Sequence, residues 1–157
     1  MIDGAMVKNL KVIPDERGRL VECLRNDDDL FIQFGQLYMT TTLPGVVKGW
    51  HLHDLQYDNV VCVKGMIKLA LYDGRDGSDG SAASSTAKQL DEFFLGEHRP
   101  ILVRIPPGVW HGWKCTSLEE AYIVNAPTEV YRYDQPDQRE LPHDTPEIPY
   151  DWGVRLR

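Results

Sequence analysis

The stretch Gly45-Val-Val-Lys-Gly-Trp-His-Leu-His-Asp-Leu-Gln-Tyr-Asp58 decides how the chain is read. It lacks apolar residues at helical spacing and is rich in β-branched and aromatic side chains, so residues 46–53 read as a strand. Successive side chains of a strand point to opposite faces. His51 and His53 therefore share one face, and Trp50 and Leu52 the other. A carboxylate, Asp58, follows five positions after the second histidine. Two imidazoles on one side of a strand whose other side is apolar admit three readings: metal ligands, catalytic bases, or polar residues on a sheet edge.

Outward from this strand the same kind of segment recurs. Runs at 10–13, 19–24, 31–41, 59–64, 66–72, 100–105, 110–115 and 119–125 predict further strands, separated by Gly, Pro and Asp clusters. Lys64-Gly65 predicts a tight hairpin turn, and Pro106-Pro107-Gly108 a second turn, where two prolines stop a central strand. Residues 73–89, DGRDGSDGSAASSTAKQ, predict an exposed, mobile loop, followed by a short helical turn up to about residue 95. The tail from 134 to 153 holds Pro136, Pro142, Pro146 and Pro149 and is expected to run extended over the surface. With no internal repeat, residues 1–157 predict a single all-β domain of the jelly-roll kind, a sandwich or barrel.

Composition narrows the function. Hydrophobic residues make up 42% and charged residues 26% of the 157, which fits one globular domain. A net charge of −7 argues against nonspecific binding of nucleic acid or of an anionic membrane, both of which need a basic surface. An anionic small ligand would need a local basic pocket. No run approaches the ~18 apolar residues of a membrane span, and MIDGAMVKNL lacks a signal-peptide core, so a cytoplasmic location is expected. Cys23, Cys62 and Cys115 show no metal-type spacing and cannot all pair within one chain; they are expected to be reduced and mostly buried.

The spacing around the histidines has a familiar form. Gly45, five residues, His51-x-His53, four residues, Asp58, six residues, Gly65 is followed by Pro106-x-Gly108-x-x-His111. These segments resemble the two motifs of the cupin superfamily, with Asp58 at the usual Glu position and Cys115 at that of the closing Asn. The resemblance implies a double-stranded β-helix barrel in which His51, His53, Asp58 and His111 converge. Such a set suits a divalent Zn, Fe, Mn or Ni ion. A polar lumen without metal remains the alternative. His98 and His143 belong to neither motif and are expected at the surface.

Within the cupins, the chain resembles the dTDP-4-dehydrorhamnose 3,5-epimerase family over almost its whole length. The matching stretches are Asp15-Glu-Arg-Gly-Arg-Leu-Val-Glu22, Gln36, Val47-Lys-Gly-Trp-His51, Val63-Lys-Gly65, Asp73-Gly-Arg75 and Ile105-Pro-Pro-Gly-Val-Trp-His-Gly-Trp113. Asp144-Thr-Pro-Glu-Ile-Pro-Tyr-Asp-Trp152 resembles the family's closing pattern. The resemblance implies an isomerase in deoxysugar or polysaccharide biosynthesis. Its histidine base, matching His51, removes a proton beside the C4 ketone of a nucleoside-diphosphate-linked sugar, and a tyrosine on the opposite face returns one. The tyrosine's place falls near Val130, which leaves Tyr131 or Tyr133 for that role, Tyr131 being the nearer. His111 lines the pocket; Arg17, Lys48, Glu22 and Gln36 surround the nucleotide and diphosphate. A homodimer in which the N-terminal strand crosses to the partner is also implied, so that Arg17 and Glu22 complete the neighbour's site.

The sequence departs from that pattern in a coherent way. The family's lysine beside the sugar is Asp58 here, and His53 stands two residues after the base, where the family normally has no histidine. The family's aspartate that orients the base lies in a C-terminal segment, with no counterpart expected before Arg157. Loss of the lysine with gain of His53 and Asp58 restores the metal-binding form of the cupin motif. A divalent cation would then take over polarisation of the ketone. Two other readings stay open at this point: a metal-dependent cupin enzyme of another class, such as a dioxygenase or small-sugar isomerase, and a non-catalytic sugar-nucleotide-binding cupin.

Overall fold

The computed structural model describes residues 1–154, and every regular element in it is a strand. In chain order these are β1 (Met6–Asn9), β2 (Val12–Asp15), β3 (Gly18–Val21), β4 (Tyr38–Thr42), β5 (Val47–Leu52) and β6 (Asp58–Lys64). They continue with β7 (Met66–Asp73), β8 (Leu90–Gly96), β9 (Ile101–Ile105), β10 (Val109–Cys115), β11 (Ala121–Asn125) and β12 (Arg139–Leu141). One sheet has the order β1-β9-β6-β11-β4, the other β12-β5-β10-β7-β8, and β2 pairs only with β3. All pairings are antiparallel.

The inner faces of the two sheets form one core. Val60, Ile101, Val103, Ile105 and Ile123 from the first meet Ile67, Leu69, Leu71 and Leu95 from the second, all nearly inaccessible. Each such side chain contributes about 2 kcal/mol of transfer free energy. The outer faces are partly covered as well. Val61 and Leu102 lie with Leu10 and Leu30 of the N-terminal segment, and Trp50 and Ala70 lie with Ile148 and Trp152 of the tail. The expected all-β jelly roll is the observed architecture, and Trp50 and Leu52 do turn away from the histidine face into burial.

Four local expectations are corrected. Lys64-Gly65 is not a hairpin: β6 and β7 belong to different sheets, and Gly65, at φ 71°, turns the chain from one to the other. The expected helical turn before residue 95 is strand β8, in which Asp91, Phe93 and Leu95 alternate with Leu90, Glu92 and Phe94. Of the strand expected over 31–41, only β4 forms. The tail does not merely cross the surface, because β12 adds an edge strand beside β5.

Candidate active site

Backbone register builds the site. His51 on β5 is the Cα partner of His111 on β10, and on its other side of Glu140 on β12. Directly opposed residues of antiparallel strands present their side chains on the same face. Glu140, His51 and His111 therefore form a row across three strands, with Glu140 Oε1 3.7 Å from His51 Nε2. The ring centroids of His51 and His111 are 6.3 Å apart, and those of His53 and His111 5.8 Å.

Between His111↔His51 and Trp113↔Lys48 the pairing slips by one residue, so β5 carries a bulge. Strict alternation would set Lys48 and His51 on opposite faces. The extra residue brings both to one cavity of about 160 Å³, lined also by Tyr38, Thr40, His53, His111, Trp113, Asn125 and Gln138. Close approach of the strands there requires Gly112: a Cβ on it would lie 2.8 Å from the Gly49 carbonyl oxygen. The Lys48 ammonium donates to Thr40 Oγ1, and burial pushes its pKa down.

Asp58, at the start of β6, is 2% exposed and divides its carboxylate between two tasks. Oδ1 accepts hydrogen bonds from Asn125 Nδ2 at 2.7 Å and Gln56 Nε2 at 3.0 Å. Oδ2 faces His111 Nε2 at 3.4 Å and His53 Nε2 at 3.7 Å. The Nδ1 atoms of both rings lie on backbone carbonyls, His111 on Val109 and His53 on Asp137, which only accept, so both Nδ1 carry the hydrogen. In the neutral rings each Nε2 then presents a lone pair to a carboxylate oxygen. Such a cluster is satisfied by a positive charge at its centre, a shared proton or a cation. Burial pushes the His111 pKa down to about 4 against the attraction of Asp58. Burial likewise lowers that of His51, with Glu140 the strongest opposing influence.

The donor set fits a metal. His53, Asp58 and His111 offer three ligand atoms within 4.8 Å of one another. Bonds near 2.0–2.1 Å in a tetrahedral site separate neighbouring donors by about 3.4 Å, close to the 3.4 and 3.7 Å from Asp58 Oδ2 to the two imidazole nitrogens. Carbonyl acceptors on both Nδ1 atoms are what ligating imidazoles use for orientation. His51, the fourth member of the expected ligand set, is not in that group.

The other expected residues are more scattered. Tyr131 and Tyr133 pack edge to face on each other at 5.0 Å, 42% and 90% exposed. Tyr131 lines a neighbouring cavity of about 340 Å³ with Asp54, Gln56 and Asp137. Gln36 accepts the Tyr131 backbone N–H at 3.2 Å. Arg17, at the exposed β2–β3 turn, pairs with Asp15 at 2.6 Å, and Glu22 pairs with Arg25 at 3.0 Å; neither lines the histidine cavity. His98 and His143 are exposed, and the three cysteines are free, Cys62 and Cys115 buried and Cys23 half-buried. Sequence reasoning missed Tyr38, Asn125 and Glu140, which reach the site only through strand pairing.

A jelly-roll barrel whose cavity gathers His51, His53, His111 and a half-buried lysine beside the buried Asp58 defines the class, an enzyme-like cupin fold. The family model described as dTDP-4-dehydrorhamnose 3,5-epimerase matches residues 1–157, and the chain belongs to that family. It is 41% identical to the probable low-salt glycan biosynthesis epimerase Agl13 of Haloferax volcanii, covering 99% of this chain and 97% of that one. Identity to the spore coat polysaccharide biosynthesis protein SpsL of Bacillus subtilis is 35%, with full coverage of both. Among solved structures, a dTDP sugar isomerase from Desulfovibrio desulfuricans superposes with a TM-score of 0.89 at 34% identity, covering 99% and 95% of the two chains.

Proposed function

We propose that the protein is an epimerase or isomerase that inverts a carbon beside the C4 ketone of a nucleoside-diphosphate-linked deoxysugar, in cytoplasmic deoxysugar or polysaccharide biosynthesis. The observation that carries this reading is the row Glu140–His51–His111, running from the exposed edge strand β12 to the buried His111, in a chain from this family. A C–H beside a carbonyl is weakly acidic, so its removal needs a base near neutrality and positive charge near the enolate oxygen. His51 is the base: it stands outside the Asp58 cluster and faces the cavity with Nε2 toward a carboxylate. His111 lines the sugar pocket. Lys48 faces the same cavity and meets the diphosphate, with Gln36 beside the nucleotide. Arg17 and Glu22, which do not line this cavity, act on the neighbouring subunit of a homodimer.

His53, Asp58 and His111 would hold a divalent cation such as Zn, Fe, Mn or Ni. Bound there, such an ion supplies positive charge for the ketone oxygen at the family's lysine position. His51 then keeps its lone pair for the substrate. Metal analysis of protein purified without added ions tests this: about one ion per chain, lost in His53→Ala, is expected. Metal content near zero, with thermal stability unchanged by chelator, ends the metal assignment.

The catalytic reading is tested with dTDP-4-keto-6-deoxyglucose in D2O followed by NMR. Wild type is expected to replace the hydrogen beside the ketone with deuterium, and His51→Asn to lose about 10³-fold of that rate. Binding without exchange would instead mark a non-catalytic sugar-nucleotide-binding protein.

A further inference from the structure

Inverting a carbon through an enolate needs groups on both sides of the substrate. A base removes a proton from one face, and an acid returns one to the other. His51 belongs to the sheet β12-β5-β10-β7-β8. Tyr38, on β4 of the facing sheet, is the one phenol among the described residues that line the His51 cavity.

The hydrogen bonds around Tyr38 fix its role as an acceptor from its neighbour. Asn125 Oδ1 accepts the Asn59 backbone N–H at 2.9 Å, which settles the orientation of the Asn125 amide. Its Nδ2 then donates both hydrogens, one to Asp58 Oδ1 at 2.7 Å and one to Tyr38 Oη at 2.9 Å. The phenol's own proton is not used in that contact, and no described residue accepts it. Burial and the nearby Asp58 charge push the phenol's pKa up and keep it protonated, while the Asn125 N–H works the other way and steadies the phenolate left when the proton is given. Asp58 in turn holds Asn125, so one buried carboxylate orients both the imidazole cluster and the phenol.

We propose that Tyr38, on the wall opposite His51, is the proton donor of this site; the assignment rests on the epimerase reading above. His51 takes the proton from the carbon beside the ketone, and the C–H electron pair passes into the enolate. That pair then forms a new bond to the Tyr38 proton on the opposite face, leaving a phenolate at Asn125 Nδ2. The imidazolium gives its proton to water and the phenolate takes one from water, so protons balance over the cycle. Tyr131 and Tyr133 do not line this cavity; Tyr131 lines the separate one beside Asp54 and Asp137, and Tyr133 is 90% exposed.

The test compares wild type, Tyr38→Phe, Tyr131→Phe and Tyr133→Phe with dTDP-4-keto-6-deoxyglucose in D2O, reading hydrogen exchange and epimer formation separately. In Tyr38→Phe, epimer formation is expected to fall about 100-fold or more. Exchange at the same carbon should stay within about threefold of wild type, since His51 still removes and returns a proton on its own face, and KM should barely move. Tyr131→Phe and Tyr133→Phe should keep both rates. Epimer formation near the wild-type rate in Tyr38→Phe overturns the assignment. So does equal loss of exchange and inversion, which would mean that Tyr38 only shapes the pocket, and so does the split appearing in Tyr131→Phe or Tyr133→Phe instead. A wild type that neither exchanges nor inverts removes the epimerase reading, and this assignment with it.

Discussion

Burial makes the His51 imidazole a reluctant cation, and Glu140 on the adjoining strand works in the other direction. In the proposed reaction, a carboxylate 3.7 Å from Nε2 favours the imidazolium that would form when the ring takes a substrate proton. Glu140→Gln keeps the shape and removes the charge. It is expected to lower kcat about tenfold with KM little changed, and steady-state kinetics checks this. An unchanged kcat would show that the carboxylate is idle. Glu140 was not legible in the sequence, where it is one acid in a proline-rich tail. The histidines and Asp58 were legible because strand alternation and two motifs fix which way they face. Lys48 was not legible from alternation, since the bulge in β5 reverses it. Tyr38 meets Asn125 across 87 positions, a contact set by register and invisible to any local pattern.

At the scale of elements, the bulge and one loop carry the site. The β5 bulge depends on Gly112, so Gly112→Ala is expected to destabilise the protein by about 2 kcal/mol and to displace Lys48 from the cavity. Urea unfolding checks the first effect, and a raised KM the second. The loop after β7 reads as floppy from its Gly and Ser content, yet it closes on a buried acid. Asp73, fully inaccessible, accepts from Arg75 Nε and Nη2, Ser84 Oγ and Thr86 Oγ1, each at 2.7–2.8 Å. Burial raises its pKa, but the Arg75, Thr86 and Ser84 donors prevail and hold it at about 2. A folded-state pKa below the unfolded value means that the unfolded chain binds the proton more tightly. The stability due to Asp73 is therefore complete above pH 3.8 and lost as pH falls toward about 2. Asp73→Asn should flatten that part of a melting-temperature profile, and an unaltered acid limb would contradict the assignment. Strand β8 was misread for a related reason: a short apolar run next to a Gly-Ser loop carries too few turns of either period to decide.

At the scale of the molecule, the described chain leaves apolar strands uncovered. Val12, Ile13 and Leu20 of the β2–β3 hairpin are 38%, 44% and 56% exposed, and the hairpin pairs with neither sheet. Edge strand β4 shows Met39 at 57% exposure, with Leu37 at 63% just before it. Unpaired edges with apolar side chains invite a second chain. A dimer would match the expectation that Arg17, exposed and not lining its own cavity, serves its partner's. Complementation tests this without a structure. His51→Asn and Arg17→Ala are each expected to be nearly inactive alone. In a dimer of one of each, the Arg17→Ala subunit keeps its own His51 and receives Arg17 from the other, so one site is whole. Random exchange makes half the dimers mixed, each with one working site of two, so activity should return to about a quarter of wild type. If each subunit used its own Arg17, no mixed dimer would hold a complete site, and mixing would restore nothing.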